Sequence, residues 1–285
     1  MAIEGNTTRR EAGPVRVTVP PGGSWWSEPG DDPPGTRGRH RLVWRLVTET
    51  LRAMTPAGRR PLVLDCGGGS GSYAVPLARA GAEVTLIDIS ADALATLRRR
   101  AAEAGVADRV RAVQGDVEAL TEFVPTGAFD LALLHGVLDV VDDPGLALRQ
   151  VAAALRPDGR VSVLVANPVA SVLTRAFAGD ARAARDELRA LLAGGPSQPG
   201  GDLARLGDGC LGPAVLDPLF GAAGLAIERF HGVGGFTELV PGAQLDAQPD
   251  ALAALEELEA LAAGVSPFRE IAPWLHVLAT RARAG

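Results

Sequence analysis

Apolar residues recur along this chain with two alternating periods. Short, nearly continuous apolar runs indicate buried strands, and the longer stretches between them, where apolar residues return every three or four positions, indicate helices. Because strands and helices alternate, we expect a parallel sheet with helices on both faces. The predicted strands are 62–65, 83–88, 109–114, 129–134 and 160–166, and the predicted helices lie near 39–54, 72–80, 91–104 and 144–155.

The pattern changes after Asn167. A helical run from Val172 to Leu192 is followed by a loop rich in glycine and proline, and we interpret about 167–212 as a helical cap inserted beside the active site. Predicted helices at 213–223 and 251–263 then alternate with predicted strands at 225–230 and 274–281. These two strands would complete a Rossmann-like α/β fold, with a seven-stranded, mostly parallel sheet whose last strand is antiparallel.

Residues 1–38 differ in composition from 39–285, because they are rich in glycine, proline, serine and charged residues. We expect the first dozen or so residues to be disordered. Trp25 and Trp26 are the exception in this segment, since two adjacent tryptophans need a surface to cover. They would either dock on the core or fold over the active site and contact substrate.

The turn after the first strand carries the clearest chemistry. Asp65 stands near the end of the strand, and Gly67, Gly68, Gly69 and Gly71 make the turn largely bare backbone. Glycine adopts positive φ and lets a ligand approach the main chain, while amides at the start of a helix point towards that ligand. The turn therefore predicts a site for a small-molecule cofactor.

Two further acids follow strands. Asp88 ends the second predicted strand, one βαβ unit after the glycine turn, where a carboxylate accepts hydrogen bonds from both hydroxyls of a ribose. Gly115 and Asp116 follow the third strand, where an adenine amino group needs an acceptor. With Ile89 and Val117 beside these acids, the set predicts an adenosine-type cofactor.

Two classes of adenosine cofactor fit these residues. The segment from Gly69 to Ala74 satisfies G-x-G-x-x-A, a form of the dinucleotide fingerprint. Asp65, however, would repel a pyrophosphate and attract the ammonium group of an amino acid. The acid at Asp116 also favours S-adenosylmethionine.

These motifs together resemble class I S-adenosylmethionine-dependent methyltransferases. Asp65 to Gly71 matches D-x-G-x-G-x-G, the ribose acid and Gly115-Asp116 follow, and 155–159 reads L-R-P-D-G where the family has L-R/K-P-G-G. The resemblance covers about residues 60–166. It implies that 39–285 is a methyltransferase domain that binds S-adenosylmethionine and releases S-adenosylhomocysteine.

Strings scattered over the whole chain resemble one branch of that class, the bacterial tRNA 5-carboxymethoxyuridine methyltransferases. Residues 35–41 are similar to its G-T-x-K-G-x-x-R, residues 135–139 to its H-A-V-L-E, and Asn167 to an asparagine after its fifth strand. The resemblance implies that Arg41 and His135 join the cofactor site, that Asn167 faces substrate, and that the methyl acceptor is a carboxylate on modified tRNA. A guanidinium at Arg41 could pair bidentately with the methionine carboxylate.

Charge favours a different acceptor. The net charge is −6, and an uncharged stretch at 194–201 replaces the lysine-rich segment of that tRNA-modifying family. A chain with no general basic field could meet tRNA only through a local patch. Arginines on the inserted helix alternate with acids, which is typical of a solvated face. A small metabolite is therefore the alternative acceptor, and a sensor that binds S-adenosylmethionine without catalysis is the alternative of another class.

Two histidines are candidate catalytic residues. His135 follows the fourth strand at the carboxyl edge of the sheet, and His231 follows a later strand. Either could act as general base for a phenol or amine, whereas a carboxylate acceptor needs no base. We expect His40 and His276 to be structural.

Composition limits the class of protein but identifies no further site. The length of 285 residues and the 47% hydrophobic content suit one large core with a cap. The chain has no long apolar run or signal pattern, so we expect a cytoplasmic protein without a membrane partner. Abundant alanine, glycine and arginine with no lysine suggest a GC-rich bacterial genome. Two cysteines, Cys66 and Cys210, fit neither a disulfide framework nor a metal site.

Overall fold

The computed structural model describes residues 39–193, 213–237 and 249–282. Their strands form one seven-stranded sheet in the order β3-β2-β1-β4-β5-β7-β6. Only β7 is antiparallel to its neighbours, β5 and β6, so the predicted sheet is confirmed. The strands are β1 (Leu62–Cys66), β2 (Glu83–Asp88), β3 (Val110–Gln114), β4 (Phe129–His135), β5 (Leu155–Ala166), β6 (Leu225–Val233) and β7 (Trp274–Arg281).

Several helices begin where the sequence supplies a cap. Ser90 accepts a hydrogen bond from the Ala93 amide at 3.2 Å, and Asp143 accepts one from Leu146 at 2.8 Å. The helices are α1 (Arg39–Met54), α2 (Ala74–Arg79), α3 (Ala91–Glu103), α4 (Pro144–Ala154), α5 (Pro168–Phe177), α6 (Ala181–Ala193), α7 (Pro213–Ala222), α8 (Pro249–Ala262) and α9 (Phe268–Ile271), with 3-10 turns at Ala107–Arg109 and Val117–Glu122.

The core forms two apolar layers, one on each face of the sheet. Alternating residues of β4 show the division, because Leu131 and Leu133 pack with α1, α2 and α3, whereas Ala132 and Leu134 pack with α4 and α7. Successive side chains of a strand point to opposite faces, so a strand buried on both faces reads as a continuous apolar run. This explains why the central strands were predictable.

The helical insertion differs from its prediction. The expected single run from Val172 to Leu192 is wrong, since the structure has two helices, α5 and α6, that pack against each other. The break falls at Gly179, whose φ is +85°, and Asp180 caps α6 by accepting a hydrogen bond from Ala183 at 3.0 Å. Strand β5 also begins earlier than expected, at Leu155, and β6 continues to Val233.

An ion cluster fastens the amino edge of the sheet. Asp130 of β4 is fully buried and accepts hydrogen bonds from Arg59, from Arg156 and from the Leu62 amide, the last at 2.8 Å. The carboxylate thereby connects the starts of three neighbouring strands, β1, β4 and β5. This edge is opposite the one that carries the glycine turn.

Some predictions lie outside the described residues. They are the N-terminal segment 1–38 with Trp25 and Trp26, the loop 194–212 and Cys210. Among the helices that the structure does describe, none is long and apolar enough to cross a membrane.

Candidate active site

The predicted cofactor residues other than Arg41 lie at the carboxyl edge of four adjacent strands, β3, β2, β1 and β4. Ligands of open α/β sheets bind where chain connections leave in opposite directions. Here that point lies between β1 and β4, because β2 and β3 follow β1 on one side while β4 and β5 continue on the other.

The glycine turn after β1 is tightly packed from below. Gly67, Gly69 and Gly71 all have positive φ, as expected. A Cβ on Gly71 would lie 2.3 Å from Leu97 Cδ1 of α3, so glycine is required there for space as well as for backbone conformation. Helix α3 also holds the turn through Arg100, which donates a hydrogen bond to the Ser70 carbonyl oxygen at 2.9 Å.

Asp65 lies beneath this turn. Its side chain is 3% exposed, and its Oδ2 is buried with no hydrogen-bond partner. Burial, together with the nearby charge of Asp88, raises the pKa of the Asp65 carboxyl to about 7, although the Ala74 amide opposes this shift by donating a hydrogen bond. The negative charge expected from the sequence is thus only partly present at neutral pH in the cofactor-free protein.

Asp88 is held in place by backbone amides. Its Oδ2 accepts a hydrogen bond from the Gly69 amide at 2.9 Å, and its Oδ1 accepts one from the Ser90 amide at 2.8 Å. The ribose acid is therefore fixed directly to the glycine turn. The neighbouring Ile89 is 71% exposed, which leaves an apolar side chain available to pack against a planar ring.

The third strand supplies the last predicted pair. Asp116 is exposed, and its Oδ1 accepts a hydrogen bond from the Glu118 amide at 2.9 Å, which leaves carboxylate lone pairs for another donor. Val117 is buried below it. Gly115 leaves no room for a Cβ, which would lie 2.9 Å from Ile87 and from Phe123.

The arrangement fits an adenosine cofactor with an amino-acid tail. An exposed acid, an exposed apolar side chain and a fixed second acid follow one another along the edge from β3 to β2. The buried Oδ2 of Asp65 lies next to them and can accept a hydrogen bond. The roles of Asp65, Asp88, Asp116 and Ile89 in binding remain predictions.

Arg41 has a partner at the other end of the chain. Its guanidinium forms an ion pair with Glu256 of α8. Glu259, one turn further along α8, is 4% exposed and accepts hydrogen bonds from four consecutive amides, 234–237. Arg41 thus belongs to a clamp between α1 and the end of β6. Its contact with the cofactor stays a prediction.

His135 ends β4 at the carboxyl edge and begins a chain of polar side chains. Its Nε2 lies 2.8 Å from Ser162 Oγ, and the same oxygen lies 2.8 Å from His276 Nε2. His276 Nδ1 lies 3.3 Å from His231 Nδ1. The rings of Tyr73 and His135 pack edge to face, with their centroids 4.8 Å apart.

This chain links both predicted catalytic histidines through two residues that the sequence did not connect. Ser162 and His276 are buried. Burial lowers the pKa of His276 well below its usual range. Burial also lowers the pKa of His231 to about 4, and the positive charges of Arg229, Arg269 and Arg45 contribute. Both histidines are therefore neutral at physiological pH.

Asn167 has a structural role. It is 2% exposed, and its Oδ1 accepts a hydrogen bond from the Val169 amide at the start of α5. Its Nδ2 donates both hydrogens, to the carbonyl oxygens of Glu270 and Ala272, at 2.8 Å each. These two hydrogen bonds use both N–H groups of the Asn167 side chain. The side chain therefore has no N–H group left to donate to a substrate, as the sequence had suggested it would.

Asp139 is a candidate site residue to which sequence reasoning gave no role. It lies four residues after His135. Its Oδ2 accepts a hydrogen bond from the Ala166 amide at the end of β5, at 3.3 Å. Its Oδ1 is buried with no hydrogen-bond partner, and burial raises the pKa of the Asp139 carboxyl to about 6. Its place at the end of the string 135–139, soon after a strand end, was the signal in the sequence.

The sheet order and the glycine turn form a Rossmann-like α/β fold with its ligand edge at the carboxyl ends of the strands. A family model described as a methyltransferase domain matches residues 63–159 of the 285-residue chain. The match covers β1 to the start of β5 and includes every predicted cofactor residue except Arg41.

Two relatives show how far the similarity extends. The tRNA 5-carboxymethoxyuridine methyltransferase of Escherichia coli (strain K12) is 31% identical over 50% of this chain and 53% of its own length. The ubiquinone biosynthesis O-methyltransferase of Bordetella avium (strain 197N) is 40% identical over 45% of this chain and 50% of its own length. The chain thus spans about half the length of these curated relatives.

Solved structures extend the likeness to most of the chain. Geranyl diphosphate C-methyltransferase from Streptomyces coelicolor A3(2) is 18% identical, with a TM-score of 0.52 over 85% of this chain and 78% of that one. The cyclase SpnF is 23% identical, with a TM-score of 0.55 over 88% and 89%. At these identities the likeness shows the fold alone, and a fold shared with a cyclase does not define the reaction.

Proposed function

We propose that the protein is an S-adenosylmethionine-dependent methyltransferase. The observation that carries the proposal is the row of acids and glycines along one edge of the sheet, where Asp88 is hydrogen-bonded to the turn that Asp65 supports. In this role Asp88 holds the ribose, Asp116 the adenine amino group and Asp65 the ammonium group. The sulfonium supplies an activated methyl group.

The chain's own residues mainly have to align an acceptor and exclude water. Methyl transfer from a sulfonium is an in-line displacement, so proximity and orientation dominate the rate. The space next to the cofactor edge is bounded by the carboxyl ends of β4 and β5. His135 and Asp139 stand there, and either could take a proton from an acceptor.

A small molecule is the acceptor that the charges favour. Three arginines of the inserted helices are paired with acids. Arg175 pairs with Glu187 at 2.6 Å, Arg185 with Asp186 at 2.8 Å and Arg189 with Asp186 at 3.6 Å. Paired arginines contribute little to binding phosphates, because their charge is already compensated.

A carboxylate of modified tRNA is the second candidate acceptor. The observation that favours it is the similarity to the Escherichia coli enzyme together with the matching strings at 135–139 and Asn167. Esterification of a carboxylate would need no general base, but a nearby cation would assist it. Arg41 would have to leave Glu256 to serve as that cation.

Two experiments test these proposals in order. Isothermal titration calorimetry with S-adenosylhomocysteine tests the cofactor, and no binding of either S-adenosylhomocysteine or S-adenosylmethionine would remove the whole proposal. Methyl-labelled S-adenosylmethionine is then incubated with bulk tRNA carrying 5-carboxymethoxyuridine and, separately, with catechols and aromatic carboxylic acids. Label in the tRNA alone would select the second candidate, and binding without any transfer would favour a sensor.

A further inference from the structure

The polar chain from His135 to His231 crosses four strands inside an apolar layer. Its members lie on the face of the sheet that α1 covers, together with Leu133 of β4 and Leu164 of β5. Strand register brings them together, because His276 of β7 is paired with Leu164 on one side and with His231 on the other. A buried polar group is costly unless it is hydrogen-bonded, so each link depends on its neighbours.

The hydrogen bonds allow only two neutral arrangements. A serine hydroxyl donates one hydrogen, so Ser162 donates either to His135 or to His276 and accepts from the other. If Ser162 donates to His276, then His135 carries its hydrogen on Nε2, His276 on Nδ1 and His231 on Nε2. If Ser162 donates to His135, all three rings hold the opposite tautomer. The three rings therefore share one tautomeric state.

We propose that this chain is a proton relay, in which Ser162 and His276 are positioning residues for a general base at His135. The inference rests on the proposed methyl transfer and names its acceptor class, a group with an O–H or N–H bond. His135 Nδ1 takes the acceptor's proton while the acceptor forms its bond to the methyl carbon, and the electron pair of the broken carbon–sulfur bond stays on sulfur.

One proton enters the chain at His135 and one leaves it at His231. The hydrogen on His135 Nε2 passes to Ser162 Oγ, the serine hydrogen passes to His276 Nε2, and the hydrogen on His276 Nδ1 passes to His231 Nδ1. His231 then releases its Nε2 hydrogen to solvent, which leaves all three rings neutral in the opposite tautomer. His231 suits this release, since it is half-buried on the edge strand β6, and Arg45, Arg229 and Arg269 around it disfavour a retained positive charge.

Histidine tautomers report on the relay without any methyl acceptor. The full chain has 4 histidines, so long-range proton–nitrogen NMR of the protein labelled with ¹⁵N-histidine resolves each ring nitrogen, with His40 as internal reference. We expect His135 and His231 to hold the same tautomer and His276 the opposite one, with equal populations if two states exchange. Any other combination would overturn the relay.

Variants test whether a change at one end reaches the other. His231→Phe should change the tautomer population of His135, and the same substitution in a Ser162→Ala background should leave His135 unaffected. Ser162→Thr keeps the hydroxyl and should preserve the response, and Ser171→Ala on α5 is the matched control. If protons did not move along the chain, His231→Phe would change the tautomer population of His276 alone. That result would refute the relay.

The acceptor class gives an independent outcome. Transfer to catechols that falls at least tenfold in Ser162→Ala, with unchanged calorimetric affinity for S-adenosylhomocysteine, is the expected result. Transfer to carboxylates alone, at the same rate in wild type and Ser162→Ala, would overturn the base role of His135. Failure to bind S-adenosylhomocysteine would instead contradict the proposed function and leave the tautomer result standing.

Discussion

Asp65 and Asp88 stand at the ends of adjacent strands, yet their surroundings give them different chemistry. Asp88 accepts two amide hydrogen bonds at the edge of the sheet, whereas Asp65 is covered by the turn and has a pKa of about 7. The sequence identifies both positions, since each acid follows an apolar strand. It does not show the pKa, which depends on how closely Gly68 and Leu86 pack around the carboxyl.

Asp88→Asn tests the ribose contact. The amide keeps the shape of the side chain but loses the charge and one acceptor, and hydrogen bonds to charged groups contribute about 1.5 to 3 kcal/mol. We expect the affinity for S-adenosylhomocysteine to fall by roughly tenfold to a hundredfold in calorimetry. Asp92→Asn, on the exposed first turn of α3, is the control, and equal affinities for the two variants would exclude Asp88 from binding.

Asp65→Asn tests the buried carboxyl through the pH dependence of stability. The pKa of Asp65 in the folded protein, about 7, lies above the usual aspartate value of 3.8. Between these two pH values the carboxyl is therefore ionised in the unfolded chain but still protonated in the folded protein. The stability of the cofactor-free protein therefore contains a contribution that is complete below about pH 4 and is lost as the pH rises through about 7.

Urea denaturation of the cofactor-free protein at pH 5 and pH 8 measures this contribution. The free energy of unfolding of Asp65→Asn, relative to wild type, should be higher at pH 8 than at pH 5, because the amide cannot ionise. Asp142→Asn, in an exposed loop, should show no such change. A difference that does not depend on pH would mean that the carboxyl is not perturbed by burial.

At the scale of elements, the inserted helices show what periodicity can and cannot predict. The apolar period continues through residues 172–192, which predicts one helix, but a glycine with positive φ ends α5 and an aspartate caps α6. Helix ends depend on single residues, whereas helix faces depend on many. The same reason explains why the start of β3 was misplaced by one residue and that of β5 by five, while both ends of α1, β2 and β7 were predicted correctly.

Asn167→Ala tests how the insertion is attached. The substitution removes the cap of α5 and leaves the carbonyl oxygens of Glu270 and Ala272 without their donor. Loss of a cap costs about 1 kcal/mol, and an unsatisfied buried acceptor costs about 1 to 3 kcal/mol more. We expect a total loss of roughly 2 to 4 kcal/mol in urea denaturation.

Ser90→Ala is the matched control for this loss. Ser90 caps α3 at an exposed position and makes only the bond to Ala93 through its side chain, so its replacement should cost about 1 kcal/mol. Equal losses for the two variants would show that the contacts between Asn167 and the segment around α9 do not stabilise the fold.

Across the whole molecule, stability and chemistry occupy opposite edges of the sheet. Asp130 and its two arginines hold the amino edge, while the glycine turn, Asp88 and His135 occupy the carboxyl edge. The sequence predicted the carboxyl edge because its residues follow strands directly. It did not predict the cluster around Asp130, or the chain through Ser162, because those contacts join residues that only the strand order brings together.

Asp130→Asn should separate the two edges experimentally. The variant retains an acceptor for the Leu62 amide but loses the charge that pairs with Arg59 and Arg156. We expect the free energy of unfolding to fall by about 1 to 3 kcal/mol, since a buried charged group loses its hydrogen-bonded partners. The affinity of the folded protein for S-adenosylhomocysteine should be unchanged.

An exposed pair provides the comparison for that loss. Asp108 lies 4.0 Å from Arg109 and is 75% exposed, so Asp108→Asn should change stability by less than about 1 kcal/mol. If Asp130→Asn weakened cofactor binding as strongly as Asp88→Asn, the two edges would be coupled.

The position of β7 between β5 and β6 has a consequence for biosynthesis. Strand β6 leaves the ribosome before β7, yet among the described strands it is hydrogen-bonded to β7 alone, so β6 cannot join this sheet until residues 274–281 have been made. The segment that matches the family model, 63–159, emerges much earlier. A nascent chain could therefore assemble the glycine turn and the acids beside it well before His276 and His231 arrive to complete the polar chain.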